Sequence, residues 1–193
     1  MKDSSWIDPR VQRTRTAVLS HTYALLVEEG FGGASIDEIS RRSGVAKTTI
    51  YRHWPTRTEL LLDACAQLGW SVDFVSTGAF ESDIRVHLVE LAQRLQTEGW
   101  TRLLPSILDA AERDPDVAEV QGTLQQAWAA PIRRIVEAAV DRGEISSDAD
   151  PDTIAALALG PLYYRRWFSR QPIDSTDLDV LIGTLCIIAR RPV

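Results

Sequence analysis

Cysteine, histidine and long apolar runs are scarce in this chain, and each scarcity narrows its function. Among 193 residues there are two cysteines and three histidines. Cys65 and Cys186 lie far apart in apolar, helical surroundings and form no CxxC pair, so the expectation is two buried free thiols. His21, His53 and His87 fall on different helical segments, without HExxH or cysteine–histidine spacing. Neither a Ser/His/Asp arrangement nor a glycine-rich phosphate loop is recognisable. No catalytic residues, metal or cofactor are therefore expected, and an enzyme is the weaker reading. No apolar run approaches the roughly 18 residues that cross a bilayer, and MKDSSWIDPR has no hydrophobic signal region. A cytoplasmic protein without a membrane partner is expected. Alternating apolar and polar residues are missing as well, which argues against half-buried strands.

What is present is helical punctuation around a globular composition, 45% hydrophobic and 25% charged. Asp8-Pro9, Asp114-Pro115 and Asp150-Pro151 each pair an N-cap with a proline suited to the first helical position. Val11, Val18, Thr22 and Leu25 form the stripe of a first helix that ends at Gly30, with Phe31 folding back onto it. Further helices are expected as a pair over 35–54 that turns at Gly44, and over 56–75, 82–97, 103–111, 114–142, 150–170 and 176–190. Pro131 should kink or split the seventh, and Gly160-Pro161 should break the eighth. The fold class is all-α, with about nine helices. Residues 1–55 read as a three-helix helix-turn-helix DNA-binding domain. Residues 56–193 read as a helical bundle for ligand binding and dimerisation, joined to the first part by the helix over 56–75.

The segment Ser35 to Leu60 carries the most information. Ser35-Ile36-Asp37-Glu38 reads as a capping box, Gly44 as a left-handed helix stop, and Val45 and Ile50 as inward plugs. Lys47, Thr48, Thr49, Tyr51 and Arg52 are left facing out. A short helix with small hydroxyls, an aromatic and cations behind a rigid turn suits a DNA major groove. Lys47, Thr48, Thr49 and Arg52 are candidates for base edges, while Tyr51, His53 and Arg57 suit phosphates. The chain's net charge of −6 divides to agree. Residues 1–60 carry nine Lys/Arg and seven Asp/Glu, whereas residues 61–193 carry twelve and twenty. A helical hairpin that binds no DNA is the alternative.

The run Gly44-Val45-Ala46-Lys47-Thr48-Thr49-Ile50-Tyr51-Arg52-His53-Trp54, followed by Thr56-Arg57 and Glu59-Leu60, resembles the DNA-binding module of the TetR/AcrR family of bacterial transcription regulators. Gly160-Pro161-Leu162-Tyr163-Tyr164 is similar to a segment found in one of its subgroups. The resemblance implies a homodimer that binds a palindromic double-stranded DNA operator, usually represses, and releases it when a small-molecule effector enters the C-terminal part. It adds Ser35 to the phosphate contacts. Ala46 departs from the family, in which a serine often caps the recognition helix, so this helix end should be less stable.

The last helix is apolar around most of its circumference, so it must be buried on more than one side, by its own core or by a second subunit. With the helix before it, it suggests a four-helix dimer seam through Ile154, Leu162, Trp167, Leu181, Leu185 and Ile188. Trp70, His87, Leu91, Trp128 and Tyr163 are candidates to line a ligand pocket, although ordinary core packing is the stronger reading of any single one of them, His87 included.

Overall fold

A computed structural model of the chain describes residues 9–66 and 76–190, with residues 98–100 described by their backbone alone. The described residues are all-α and contain no strand. The helices are α1 (Pro9–Gly33), α2 (Ile36–Ser43), α3 (Lys47–His53), α4 (Arg57–Ala66), α5 (Phe80–Arg94), α6 (Glu98–Ala111), α7 (Pro115–Asp141), α8 (Pro151–Tyr163) and α9 (Ser175–Ala189). A π-helical turn, Tyr164–Ser169, extends α8. The helices gather into two compact units. The first contains the described residues up to 66 together with 101–124, and the second contains 76–100 and 125–190.

In the first unit α1 packs on α2 and α4, and α2 packs on α3. Val18, Thr22, Leu25 and Leu26 face the core, as their spacing requires. Thr22 is buried at no polar cost because its Oγ1 donates to the Val18 carbonyl at 2.8 Å. Helical backbone stops at Gly30 (φ 73°, ψ −176°), a region closed to residues with a Cβ. The chain then turns Phe31 into full burial. A Cβ at Gly30 would sit 2.9 Å from Ser106 Cβ, so conformation and space both demand glycine there.

Two details of helix termination differ from expectation. Ser35 makes only half a capping box: its Oγ accepts from the Glu38 amide at 3.2 Å, while its own amide donates to the Gly33 carbonyl. Glu38 instead bonds Arg41 and Arg42 on the next turn, a closer and charge-assisted choice. The prolines do not break their helices. α7 runs through Pro131 and α8 through Pro161. The carbonyls that these prolines leave without a helical donor belong to Ala127 and Leu157, both exposed residues where water can replace the missing bond. The irregularity expected at Gly160-Pro161 comes later, as the π turn from Tyr164.

In the second unit α9 packs on both α5 and α8. Ile84, Leu88, Ile135, Val136, Ala158, Ile182 and Leu185 are fully buried there. Asp150 caps α8 by accepting from the Thr153 amide at 2.9 Å, and Asp174 with Asp177 completes a reciprocal capping box on α9. Asp83 clasps the loop before α5, accepting from the Thr77 amide at 2.5 Å and the Ser76 hydroxyl at 2.8 Å. Burial works to raise its pKa, but these bonds and Arg142 hold the carboxyl below the ordinary value. No helix of the described residues is long and apolar enough to cross a membrane.

Gly30→Ala should lower the unfolding free energy by about 1–3 kcal/mol in chemical denaturation. Gly32→Ala, with nothing within 4 Å of an added Cβ, should change it by less than about 0.5 kcal/mol.

Candidate nucleic-acid interface

The α2–turn–α3 hairpin is built from local bonds. Gly44 takes the left-handed conformation (φ 68°, ψ 9°) and its amide closes α2 on the Ser40 carbonyl at 3.0 Å. Ser40 Oγ donates to the Val45 carbonyl at 2.8 Å, and Ser43 Oγ accepts from the Val45 amide at 3.3 Å. Both polar groups of the turn residue are thus held. α3 starts at Ala46 without a side-chain cap. A seven-residue helix so begun has little stability of its own and depends on what it packs against.

That packing comes from Ile50, fully buried, and Trp54, 2% exposed. Trp54 Nε1 donates to Asp63 Oδ2 at 2.7 Å. Arg15 Nη2 donates to the same oxygen at 3.0 Å, and the Arg15 guanidinium lies 5.0 Å from the Trp54 ring centroid. One carboxylate on α4 therefore ties the end of α3 to α1. Sequence reading missed this cluster, because its members are separated by up to 48 positions and no local spacing connects them.

With Ile50 and Trp54 inward, Lys47, Thr48, Tyr51 and Arg52 are exposed; Thr49 and His53 are half-buried. Lys47 forms a surface ion pair with Asp37 of α2, a contact of small net value that another anion could displace. Burial first, then the charges of Arg52 and Arg15, push His53 below its ordinary 6.5, which favours the neutral imidazole at pH 7. Ser35 is exposed at the N-terminus of α2.

Arg57 requires a correction. The sequence suggested a phosphate contact, but its side chain is 16% exposed and engaged inside the protein. Nε donates to the Ala34 carbonyl at 3.0 Å, Nη2 to the Phe31 carbonyl at 3.0 Å, and Nη1 to Asp114 Oδ2 at 2.6 Å. It braces the α1–α2 turn against the start of α7, within the first unit.

Comparison with known proteins agrees with this architecture. The family profile described as bacterial regulatory proteins, tetR family, matches residues 18–64. The profile described as tetracyclin repressor-like, C-terminal domain, matches residues 74–185. The chain belongs to the TetR family. The regulator is 29% identical over 176 residues to YdeS of Bacillus subtilis, an HTH-type transcriptional regulator, covering 90% of this chain and 88% of that one. It is 30% identical over 157 residues to the HTH-type transcriptional regulator AqdR of Rhodococcus erythropolis, with 80% and 74% covered. The crystal structure of the TetR family transcription regulator SCO0332 superposes with a TM-score of 0.69 at 26% identity, covering 91% of this chain and 97% of that one.

The regulator's remaining candidates lie in the second unit, apart from Trp70, which lies outside the described residues. His87 is buried on α5, while Leu91 on α5, Trp128 on α7 and Tyr163 on α8 are half-buried. Burial, then the charge of Arg94, pushes the His87 imidazole down to about 4, so it is neutral at pH 7. The Tyr163 hydroxyl is buried without a hydrogen-bond partner, and burial pushes it up to about 12. Cys65 and Cys186 are buried free thiols, the former pushed up to about 12 by burial. Among the described residues no group of three or more His, Cys, Asp or Glu could hold a metal ion.

The residues expected at a dimer seam divide in the fold. Ile154, Leu162 and Leu185 are buried within their own subunit, and Leu181 and Trp167 are half-buried. The large apolar side chains left outside are Leu157, Tyr164 and Phe168 on the α8 side, and Val180, Ile187 and Ile188 on α9. An apolar helix does not announce which of its faces its own core will take, so the expected set mixes core residues such as Ile154, Leu162 and Leu185 with Ile188, which stays exposed.

Arg57→Ala should destabilise the regulator by on the order of 2 kcal/mol at pH 7, since it removes bonds to two carbonyls and one carboxylate. The Arg57 side-chain bond holds Asp114 below its ordinary 3.8. That part of the stability is complete above this value and lost as pH falls through the lowered one. Denaturation curves should therefore show the cost of Arg57→Ala shrinking at acid pH.

Proposed function

We propose that the protein is a ligand-responsive transcriptional repressor of the cytoplasm. It binds a palindromic operator as a homodimer and releases it when a small molecule enters the helical bundle. The domain roles follow the sequence reading, with DNA binding in 1–55 and ligand binding and dimerisation in 56–193. The observation that carries the proposal is the face of α3: Lys47, Thr48, Tyr51 and Arg52 stand exposed on a helix whose other side is anchored by Ile50 and Trp54. In this reading Lys47, Thr48, Thr49 and Arg52 meet base edges, and Ser35, Tyr51 and neutral His53 meet phosphates. Arg57 contributes by bracing rather than by contact. Its bonds to Phe31, Ala34 and Asp114 make the α1–α2 turn sensitive to residues 101–124, and so give effector binding a route to the hairpin.

Homodimerisation is supported by the exposed apolar stripe on α8 and α9. Phe168, on the π turn that extends α8, is 78% exposed and Val180, on α9, 66%, and α8 itself packs on α9. Gly160 and Gly183 have open space around them, which would admit a close partner helix. An effector pocket is supported by the buried Tyr163 hydroxyl, which lacks a bond that a ligand could supply.

The protein should bind its own upstream DNA specifically, with affinity falling steeply with salt. Thr48→Ala should change the preferred operator at a cost of about 1–3 kcal/mol. Tyr51→Phe should weaken all sequences alike. Equal losses for both variants on cognate and random DNA would defeat the division of roles, and flat binding would defeat the regulator reading. Footprints repeated with a metabolite library would test release. Sedimentation should report a dimer, and Phe168→Glu with Ile187→Glu should convert it to a monomer; an unchanged mass would reject this seam.

A further inference from the structure

The second unit carries a cationic concavity that operator binding does not use. After α8 the backbone widens into the π turn Tyr164–Ser169 and ends at Arg170. Arg170 is the one non-glycine residue with positive φ among the described residues (φ 52°, ψ 36°). Both are costly, uncommon conformations that re-aim side chains, and they cluster at binding sites. Here the side chains re-aimed are arginines.

Arg165 is neutralised: it ion-pairs with Asp177 and donates to the Pro172 carbonyl at 3.1 Å. Arg85, Arg133 and Arg142 of the same unit likewise each meet a carboxylate. Arg166 and Arg170 have no carboxylate partner among the described residues. Arg166 is held in place from two sides, its Nε donating to the Leu95 carbonyl at 2.9 Å and its guanidinium 5.9 Å from the Trp167 ring centroid. Its terminal nitrogens are left for something else. Together with Gln96, Gln171, Pro172 and Ile173, these two arginines line a concavity of about 320 Å³. None of the six lining residues is acidic, in a chain whose net charge is −6.

We propose that this concavity binds a small molecule carrying a carboxylate or phosphate group. The guanidinium forks of Arg166 and Arg170 match the paired oxygens of such an anion, and the amides of Gln96 and Gln171 add neutral donors. Pro172 and Ile173 offer an apolar wall to the rest of the ligand, and the volume suits a compact metabolite. The site stands apart from the DNA reading, because its occupancy is measured on the protein alone.

Calorimetric titration of the full-length protein with sodium phosphate and, separately, sodium benzoate tests it, with ionic strength held constant by chloride. Saturable binding of at least one probe, one site per subunit, is expected. Phosphate alone would assign a phosphate ester, and benzoate alone a carboxylate. R166Q or R170Q should weaken binding roughly tenfold or more, and the double variant should abolish it. R134Q, at an exposed arginine of α7 in the same unit, should leave it unchanged. Helix content by circular dichroism controls for folding. Arg170 is exposed, so R170Q keeps the test decisive if R166Q, which also loses the bond to Leu95, does not fold. Failure of both probes to saturate, retention of binding in R166Q/R170Q, or equal loss in R134Q would overturn the proposal.

Discussion

The recognition helix depends on the burial of Ile50 and Trp54, the latter held against Arg15 of α1 and Asp63 of α4. α3 has seven residues and no side-chain cap, so in isolation it would not persist. Its rotation about its own axis is set by these two side chains, with the bonds from Trp54 and Arg15 to Asp63 supplying direction that apolar contact lacks. The outward face of α3 is fixed by that orientation. A turn of the helix by one residue, about 100°, would bury part of that face and expose its apolar side.

Arg57 extends the same logic outward from the hairpin. A residue whose position suggested contact with an external anion instead satisfies two carbonyls of the α1–α2 turn and a carboxylate at the start of α7. Those carbonyls become available because Gly30 takes a backbone conformation that ends the helix early and frees its last turn. A glycine and an arginine 27 positions apart in the sequence thus shape one joint. The joint links the hairpin to residues 101–124, the part of the first unit contributed by later helices.

The second unit leaves both apolar and cationic side chains at its surface. Leu157, Tyr164 and Phe168 on the α8 side and Val180 and Ile187 on α9 leave large apolar side chains in the open. Arg166 and Arg170 leave cationic groups without carboxylates among the described residues, whereas Arg85, Arg133, Arg142 and Arg165 each meet one. In the proposed reading, one feature is complementary to an apolar surface and the other to an anion.

Much of this was written locally. Helix class, the left-handed stop at Gly44, the uncapped start at Ala46 and the inward Ile50 follow from spacing and residue type, because helix periodicity and capping act over three or four positions. The exposure of Lys47, Thr48, Tyr51 and Arg52 was legible for the same reason. Tertiary structure alone decided the rest: that Arg57 points inward, that Asp63 joins Trp54 to Arg15, that prolines pass through α7 and α8, and which stripes of α8 and α9 remain open. These outcomes depend on partners tens of residues away, and a charge or an apolar face has no preferred neighbour until the chain has folded around it.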